Sequence, residues 1–340
     1  MQTESIELGF LSIFALLTFF IFLIISKFSY KINNGILLDN DFSKPQAFHI
    51  DAVSRSGGIA SLISLFLFLS IYFLLYSEIL YDYFFICFSL FIVGYLDDIK
   101  KRISPNIRLL LMIIFLLLFI NILSVQINYI DLNFLSSWLE NKIFSSIFIF
   151  FCFLFIINGA NLVDGFNGLL ALQLIIINSI LLYINLNNNH LEFSFLLTGQ
   201  IVILISFLFF NFPKAKIFLG DSGSYLFGAL IALNIIYTNN LNPLISSFFF
   251  CILLFYLFFE VFFSFIRKSY QKKSPILPDN KHMHMLSYKL IKRISNDENS
   301  NHINSIVINL VYFVLVFPSV YFVGNSLLCK YWFFSLILIY

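Results

Sequence analysis

The chain has 340 residues, of which 60% are hydrophobic and only 11% charged, with a formal net charge of +2 and a mean hydropathy of +0.93. Soluble domains are about 25% charged, so this composition excludes an ordinary water-soluble domain and places the chain in a bilayer. The near-neutral balance argues against a nucleic-acid partner, which would need a basic face, and Cys87, Cys152, Cys251 and Cys329 lie far apart inside apolar runs, without zinc spacing or a secreted disulfide framework.

Eleven apolar spans of near-membrane length follow in chain order, at 8–26, 58–76, 79–96, 107–126, 143–160, 168–187, 195–211, 222–238, 244–266, 305–324 and 326–340. The expected fold is an all-α polytopic integral membrane protein, one domain over 1–340, with ten spans if the short last one does not cross. Glu4 and Glu7 precede the first span and no Lys or Arg does, whereas Lys27 and Lys31 follow it. That is the wrong flank for a signal peptide, and it predicts a retained first helix with its N-terminus outside. The loops near 27–57, 97–106, 161–167, 212–221 and 267–304 are then cytoplasmic. Of the 20 Lys and Arg residues, only Lys142 and Lys330 fall on the other side, a strong positive-inside bias.

The polar clusters all fall on that same expected face. In KPQAFHIDAVSRSGG, His49, Asp51 and Arg55 precede the Gly57–Gly58 pair that opens the second helix; a basic loop touching lipid headgroups is the alternative. Asp97 and Asp98 end the third helix. Two adjacent carboxylates repel each other and favour a cation beside them, and Mg²⁺ takes one or two carboxylates with water and phosphate oxygens. The alternative is a solvated helix end balanced by Lys100, Lys101 and Arg102.

In NGANLVDGFNGL, the residues Asn161, Asp164 and Gly168 would share one face if helical, and Asn158 and Asn167 add further hydrogen-bonding groups. A tight Asn- and Gly-rich turn is the alternative. NFPKAKIFLGDSGSYLFG, from Asn211 to Gly228, carries Lys214 and Lys216 before Asp221, Ser222, Gly223 and Ser224 at an expected helix start. Such a start suits phosphate oxygens or an acidic cap. Glu260, within the ninth span, is a candidate for function or for pairing, with Arg267 and Lys268, one to two turns away, as the partners in reach. His282 and His284 could bind metal or contact phosphate, or be surface residues; His190 and His302 read as ordinary loop residues.

Taken together, SRSGG at 54–58, GYLDD at 94–98, NGANLVDGFNGL at 158–169, NFPKAKIFLGDSGS at 211–224 and PDNKHMHML at 278–286 resemble the polyprenyl-phosphate N-acetylhexosamine-1-phosphate transferases. This is the WecA and MraY superfamily, glycosyltransferase family 4, and the resemblance runs from about residue 35 to 290. It implies a Mg²⁺-dependent enzyme, Mn²⁺ being a substitute, that moves a sugar-1-phosphate from a UDP-sugar to a polyprenyl phosphate and releases UMP. It implies Asp97, Asp98 and Asp221 as catalytic and metal-binding, and His282 as catalytic. It implies Arg55, Asn161, Asp164, Asn167, Asn211, Lys216 and His284 on the substrates. The implied setting is the plasma membrane with cytoplasmic catalytic loops, as a monomer or homodimer.

The chain departs from the family where Asn167 stands for an aspartate, Met285 for the last histidine of an HIHH run, and Ser54 for a common proline. The two-histidine loop and span count resemble the WecA-like branch, implying UDP-N-acetylglucosamine or a related sugar and undecaprenyl phosphate, at the start of a cell-envelope glycan such as an O-antigen. The MraY-like alternative takes a phospho-MurNAc-pentapeptide. Direct in-line attack by the lipid phosphate on the β-phosphorus is expected, with a covalent aspartyl route as alternative. A polytopic transporter is the reading from another class; it would place binding groups at the midplane of internal repeats, which the sequence lacks.

Overall fold

The computed structural model of the chain describes residues 2–31, 35–39, 52–99, 104–274, 280–295 and 300–340; His49, Asp51, Lys100, Lys101, Arg102 and Asp279 lie outside them. The architecture is helical: α1 (Gln2–Phe28), α2 (Gly57–Tyr76), α3 (Tyr81–Asp98), α4 (Pro105–Ile122), α5 (Asn133–Leu139), α6 (Lys142–Val163), α7 (Leu169–Asn187), α8 (Leu191–Asn211), α9 (Gly220–Leu241), α10 (Ser247–Leu253), α11 (Phe255–Tyr270), α12 (Met283–Ser295), α13 (Ser300–Val316) and α14 (Ser326–Ile339). In a bilayer each backbone group must be satisfied within its own segment, which selects helices. Local signals set several starts. Ser104 Oγ accepts from Ile107 N at 3.3 Å with Pro105 as first residue of α4, and Asn141 Oδ1 accepts from Ile143 N at 3.0 Å to begin α6.

Among the described residues, seven helices are long and apolar enough to cross a membrane, and the α10–α11 pair, bent by 75°, makes an eighth if counted as one span. The continuous ninth span expected at 244–266 is therefore broken, at Leu254. Three further expected spans are helices that fall short on length or composition. Helix α3 ends in Asp97 and Asp98 and begins beside Asp82, α14 has 14 residues, and α9 is rich in Asn, Ser and Gly. Three elements were not expected: the seven-residue helix α5, the short amphipathic helix α12, and an antiparallel pair of β1 (Leu38–Asp39) with β2 (Val53–Ser54).

Helix α9 explains its own composition. Helices α2, α3, α6 and α7 surround it, and every residue from Ser222 to Ile236 is buried. A helix shielded from lipid needs no apolar outer face. Asn234 can therefore sit in its middle, accepting from Tyr83 Oη at 2.9 Å and donating to Gln200 at 2.7 Å and Asn178 at 3.1 Å. Small residues let the neighbours close in: a Cβ on Gly94 of α3 would lie 2.4 Å from the Asp221 backbone, and one on Gly228 would lie 2.8 Å from Ile157 Cα in α6.

Candidate active site

The start of α9 is built by backbone pairing between two distant motifs. Phe218 N donates to Ser54 O at 2.8 Å, and Gly57 N and Gly58 N donate to Phe218 O and Leu219 O, each at 2.9 Å. The chain then turns at Gly220, whose φ of +76° disfavours any side chain; a Cβ there would also meet the Asp98 carboxylate at 2.7 Å. That carboxylate sits under the first turn of α9. Its Oδ1 accepts from Asp221 N at 3.0 Å, and its Oδ2 accepts from Ser222 N at 2.9 Å and Ser222 Oγ at 2.6 Å. Asp98 is buried, with Arg55 Nη1 at 3.6 Å, and Arg55 in turn donates to Asp39 at 2.6 Å. Both Asp98 oxygens are thus spent on free N–H groups of a helix N-terminus, where a negative charge is most favourable.

Asp97 and Asp221 point elsewhere. Arg108 Nη1 lies 2.7 Å from Asp97 Oδ2 and 3.3 Å from Asp221 Oδ2, bridging them, while its guanidinium stands 5.9 Å from the Tyr225 ring centre. Asn161 Nδ2 donates to Asp221 Oδ1 at 2.9 Å and to Ser224 Oγ at 3.0 Å, fixing the carboxylate from α6. The two carboxyls also reach each other by hydrogen bonding. Burial, then that bond and the Asp221 charge, push Asp97 up to about 6 against the pull of Arg108. Burial opposes the Asp221 charge as well, but the bond from Asp97 and the guanidiniums of Arg55 and Arg108 outweigh it and hold Asp221 below the usual carboxylate range.

Two partly exposed carboxyls bridged by one guanidinium are a donor pair suited to a hard divalent cation. Among the described residues no three His, Cys, Asp or Glu side chains converge in a closed metal cage. Mg²⁺ does not ask for one; it binds through one or two carboxylates and keeps the remaining positions for water and substrate phosphate. Asp97 and Asp221 fit that demand. Both Asp98 oxygens already accept hydrogen bonds from the first turn of α9, which sets Asp98 apart from Asp97 and Asp221 within the expected three-aspartate set.

The histidines form a second cluster. His282 Nδ1 lies 2.9 Å from Glu260 Oε2, Met283 N donates to Glu260 Oε1 at 2.9 Å, and His284 Nδ1 is 3.2 Å from Tyr256 Oη and 3.7 Å from Glu260 Oε1. The two rings stack with centres 5.6 Å apart. Glu260 thereby corrects the expected pairing with Arg267 or Lys268. It sits in α11 across from the start of α12, and it anchors the histidine loop and the first amide of α12. Neither histidine is a surface residue; both are buried, and His284 Nε2 has no hydrogen-bond partner. His302 packs its ring against Phe212 at 5.8 Å.

Between the clusters lies the turn after α6. Asn161, Asp164 and Gly168 do not share a helical face: α6 stops at Val163, Asp164 follows as its C-cap, and Gly168 has a φ of +75°. Gly165 and Gly168 make the turn the better local solution. Burial, then the nearby Asp221 and Asp98 charges, push Asp164 up to about 8. Phe166 of this turn meets His284 at 5.8 Å and Tyr288 at 5.2 Å, tying it to α12.

Asn211 is buried and spent on the backbone, accepting from Gly168 N at 2.6 Å and donating to Ile217 O at 2.9 Å, so it braces the site rather than facing it. Asn167 donates to Pro213 O at 3.0 Å and its amide N to Asn301 Oδ1 at 2.8 Å. Lys216 is exposed, and its carbonyl accepts from Tyr30 Oη at 3.1 Å. Arg108 was missed at the sequence level; its signal was a single cation one turn inside an apolar helix. Tyr256 and Phe166 carried none.

The chain matches the family model described as "Glycosyl transferase family 4" over residues 80–239. It is 28% identical over 272 residues to a Thermotoga maritima protein named undecaprenyl-phosphate alpha-N-acetylglucosaminyl 1-phosphate transferase, covering 79% of this chain and 78% of the relative. It is 32% identical over 231 residues to a phospho-N-acetylmuramoyl-pentapeptide-transferase of Dictyoglomus turgidum, covering 64% and 71%. A Prochlorococcus marinus protein of the latter name is 29% identical over 325 residues, 87% of each chain. The matched region runs from α3 through α9 and so contains Asp97, Asp98, Arg108, Asn161 and Asp221 in one packed unit. The chain belongs to glycosyl transferase family 4.

Proposed function

We propose that this enzyme transfers an N-acetylhexosamine-1-phosphate from a UDP-sugar to undecaprenyl phosphate, releasing UMP and leaving a diphosphate-linked sugar on the lipid. The observation that carries this reading is the Asp97–Asp221 pair, two carboxyls in hydrogen-bond reach of each other beside Arg108, at the N-terminus of a buried helix. Phosphoryl transfer asks a protein mainly for position and for neutralised charge. Asp97 and Asp221 would hold Mg²⁺, which when bound supplies charge neutralisation on the phosphate oxygens. Asn161 orients Asp221. Asp98 holds the start of α9 in place, and Arg55 and Arg108 place positive charge around the carboxylates. His282 and His284, fixed by Glu260 and Tyr256 and joined to the Asp164–Gly168 turn by Phe166, are assigned to the sugar-diphosphate side. The lipid phosphate oxygen attacks the β-phosphorus in line and UMP leaves.

This reading includes eleven spans, adding α3, α9, α14 and the bent α10–α11 pair to the seven apolar helices, with the catalytic end cytoplasmic in the plasma membrane. A polyprenyl phosphate presents its headgroup at that surface and a UDP-sugar is cytosolic. The names of the relatives support two donors, UDP-N-acetylglucosamine and UDP-MurNAc-pentapeptide; the two-histidine loop favours the first. The test is UMP release by purified protein given undecaprenyl phosphate, Mg²⁺ and each donor in turn, with Asp221→Ala and a chelator as controls. UMP from UDP-N-acetylglucosamine, lost in both controls, is expected. UMP only from the pentapeptide donor would reassign the substrate, and none from any donor with folded protein would overturn the reading.

A further inference from the structure

Helix α12 (Met283–Ser295) carries two apolar faces. One is inward: His284 and Met285 are buried, and Tyr288 packs on Phe166. The other points away from the protein. Leu286, Leu290 and Ile294 follow one another at four-residue steps and are 49%, 60% and 78% exposed. At about 100° per residue they lie within roughly 80° of one another on the helix surface. Beside this stripe run Lys289 and Arg293, both exposed, while Lys292 lies on the far side over the Tyr288 ring, 5.8 Å from its centre; α12 contains no acidic residue. An exposed apolar stripe edged by like charges is not stable against water alone, and it matches a surface that is apolar beneath and anionic above.

Its position in the fold agrees. Helix α12 packs against α13, a membrane-capable helix that exposes Ile306 and Val307 within two turns of its start at Ser300. Helix α12 therefore lies beside the end of α13 at which that helix begins to show apolar surface. At its other end α12 begins at Met283, whose amide is held by Glu260 beside the histidine pair.

We propose that α12 is an interfacial helix docked on an anionic lipid surface: Leu286, Leu290 and Ile294 enter the headgroup–acyl boundary while Lys289 and Arg293 bind lipid phosphates. Docking fixes the height of His282 and His284 relative to the membrane. The docking is independent of which sugar donor the enzyme uses.

The experiment uses the full chain with Cys152 and Cys251 replaced by Ser and Ile294→Cys bearing an environment-sensitive fluorophore. The protein is reconstituted in phosphatidylcholine vesicles with or without phosphatidylglycerol. Emission shifted to the blue, quenched by headgroup-linked nitroxide lipids and shielded from aqueous iodide, is expected and is enhanced by phosphatidylglycerol. Replacing Lys289 and Arg293 by Gln should lower the docked-to-undocked ratio about fivefold per charge removed. Water-like emission with full iodide quenching in both lipids overturns the proposal. So does a blue shift that is insensitive to nitroxide lipids and grows with protein-to-lipid ratio, which would assign the stripe to a second copy. The depth measurement stands on its own if the charge variant fails to fold.

Discussion

Asp98→Asn tests whether Asp98 acts structurally, apart from the Asp97–Asp221 pair proposed to hold the metal. In the wild type the buried carboxylate accepts from Asp221 N, Ser222 N and Ser222 Oγ at 3.0, 2.9 and 2.6 Å. An asparagine keeps one oxygen for this work and turns an NH₂ toward a backbone donor, so one to two charge-assisted bonds are lost at about 1.5–3 kcal/mol each. Loss of the negative charge at a helix N-terminus adds about 0.3–1 kcal/mol. The expected cost is therefore about 3 kcal/mol of stability, with a fall in activity because the Asp221 backbone shifts. The Mg²⁺ concentration giving half-maximal activity should stay near wild type, while Asp97→Asn and Asp221→Asn raise it strongly. Thermal unfolding in detergent and UMP release against Mg²⁺ read the two effects separately. An Asp98→Asn protein of unchanged stability that needs much more Mg²⁺ would refute the reasoning and return Asp98 to the ligand set.

Asn161→Ala should leave Asp221 in place but unoriented, weakening metal affinity or activity about 10–100-fold, as loss of a ligand's hydrogen-bonding partner generally does; Mn²⁺ titration and UMP release measure it. Glu260→Gln removes the charge facing His282 and His284 and weakens the hold on Met283 N. A loss of a few kcal/mol in stability is expected, with kcat falling more than KM for lipid rises, and an unchanged kcat would refute the anchoring role. Gly94→Ala puts a methyl 2.4 Å from the Asp221 backbone, so α3 and α9 must part at a cost of about 1–3 kcal/mol. Activity should fall while Gly165→Ala, with open space at its Cβ, is tolerated. Chelation should abolish UMP release, and restored Mg²⁺ should recover it.

Much of this protein was legible in its residues because a membrane imposes local rules. Apolar runs of span length, the sidedness of Lys and Arg, and polar clusters at helix ends are properties of short segments. The all-helical class, most helix positions and the Asp97, Asp98, Asn161 and Asp221 cluster could be read from them. What could not be read are relations between segments. Asp97 and Asp98 are neighbours in the chain, yet one faces Arg108 and the other caps α9, because helical geometry turns adjacent side chains about 100° apart. Glu260 meets His282 because the chain brings the start of α12 back onto α11, a contact between segments 22 residues apart. Asn211 looked like a ligand-binding residue and is a brace, since only the packed turn brings Gly168 N to it. The sequence by itself determined which residues had to leave the lipid and on which end they gather. The tertiary structure decided which of them face one another, because those pairings depend on helix crossings made close at Gly94 and Gly228 rather than on any local period.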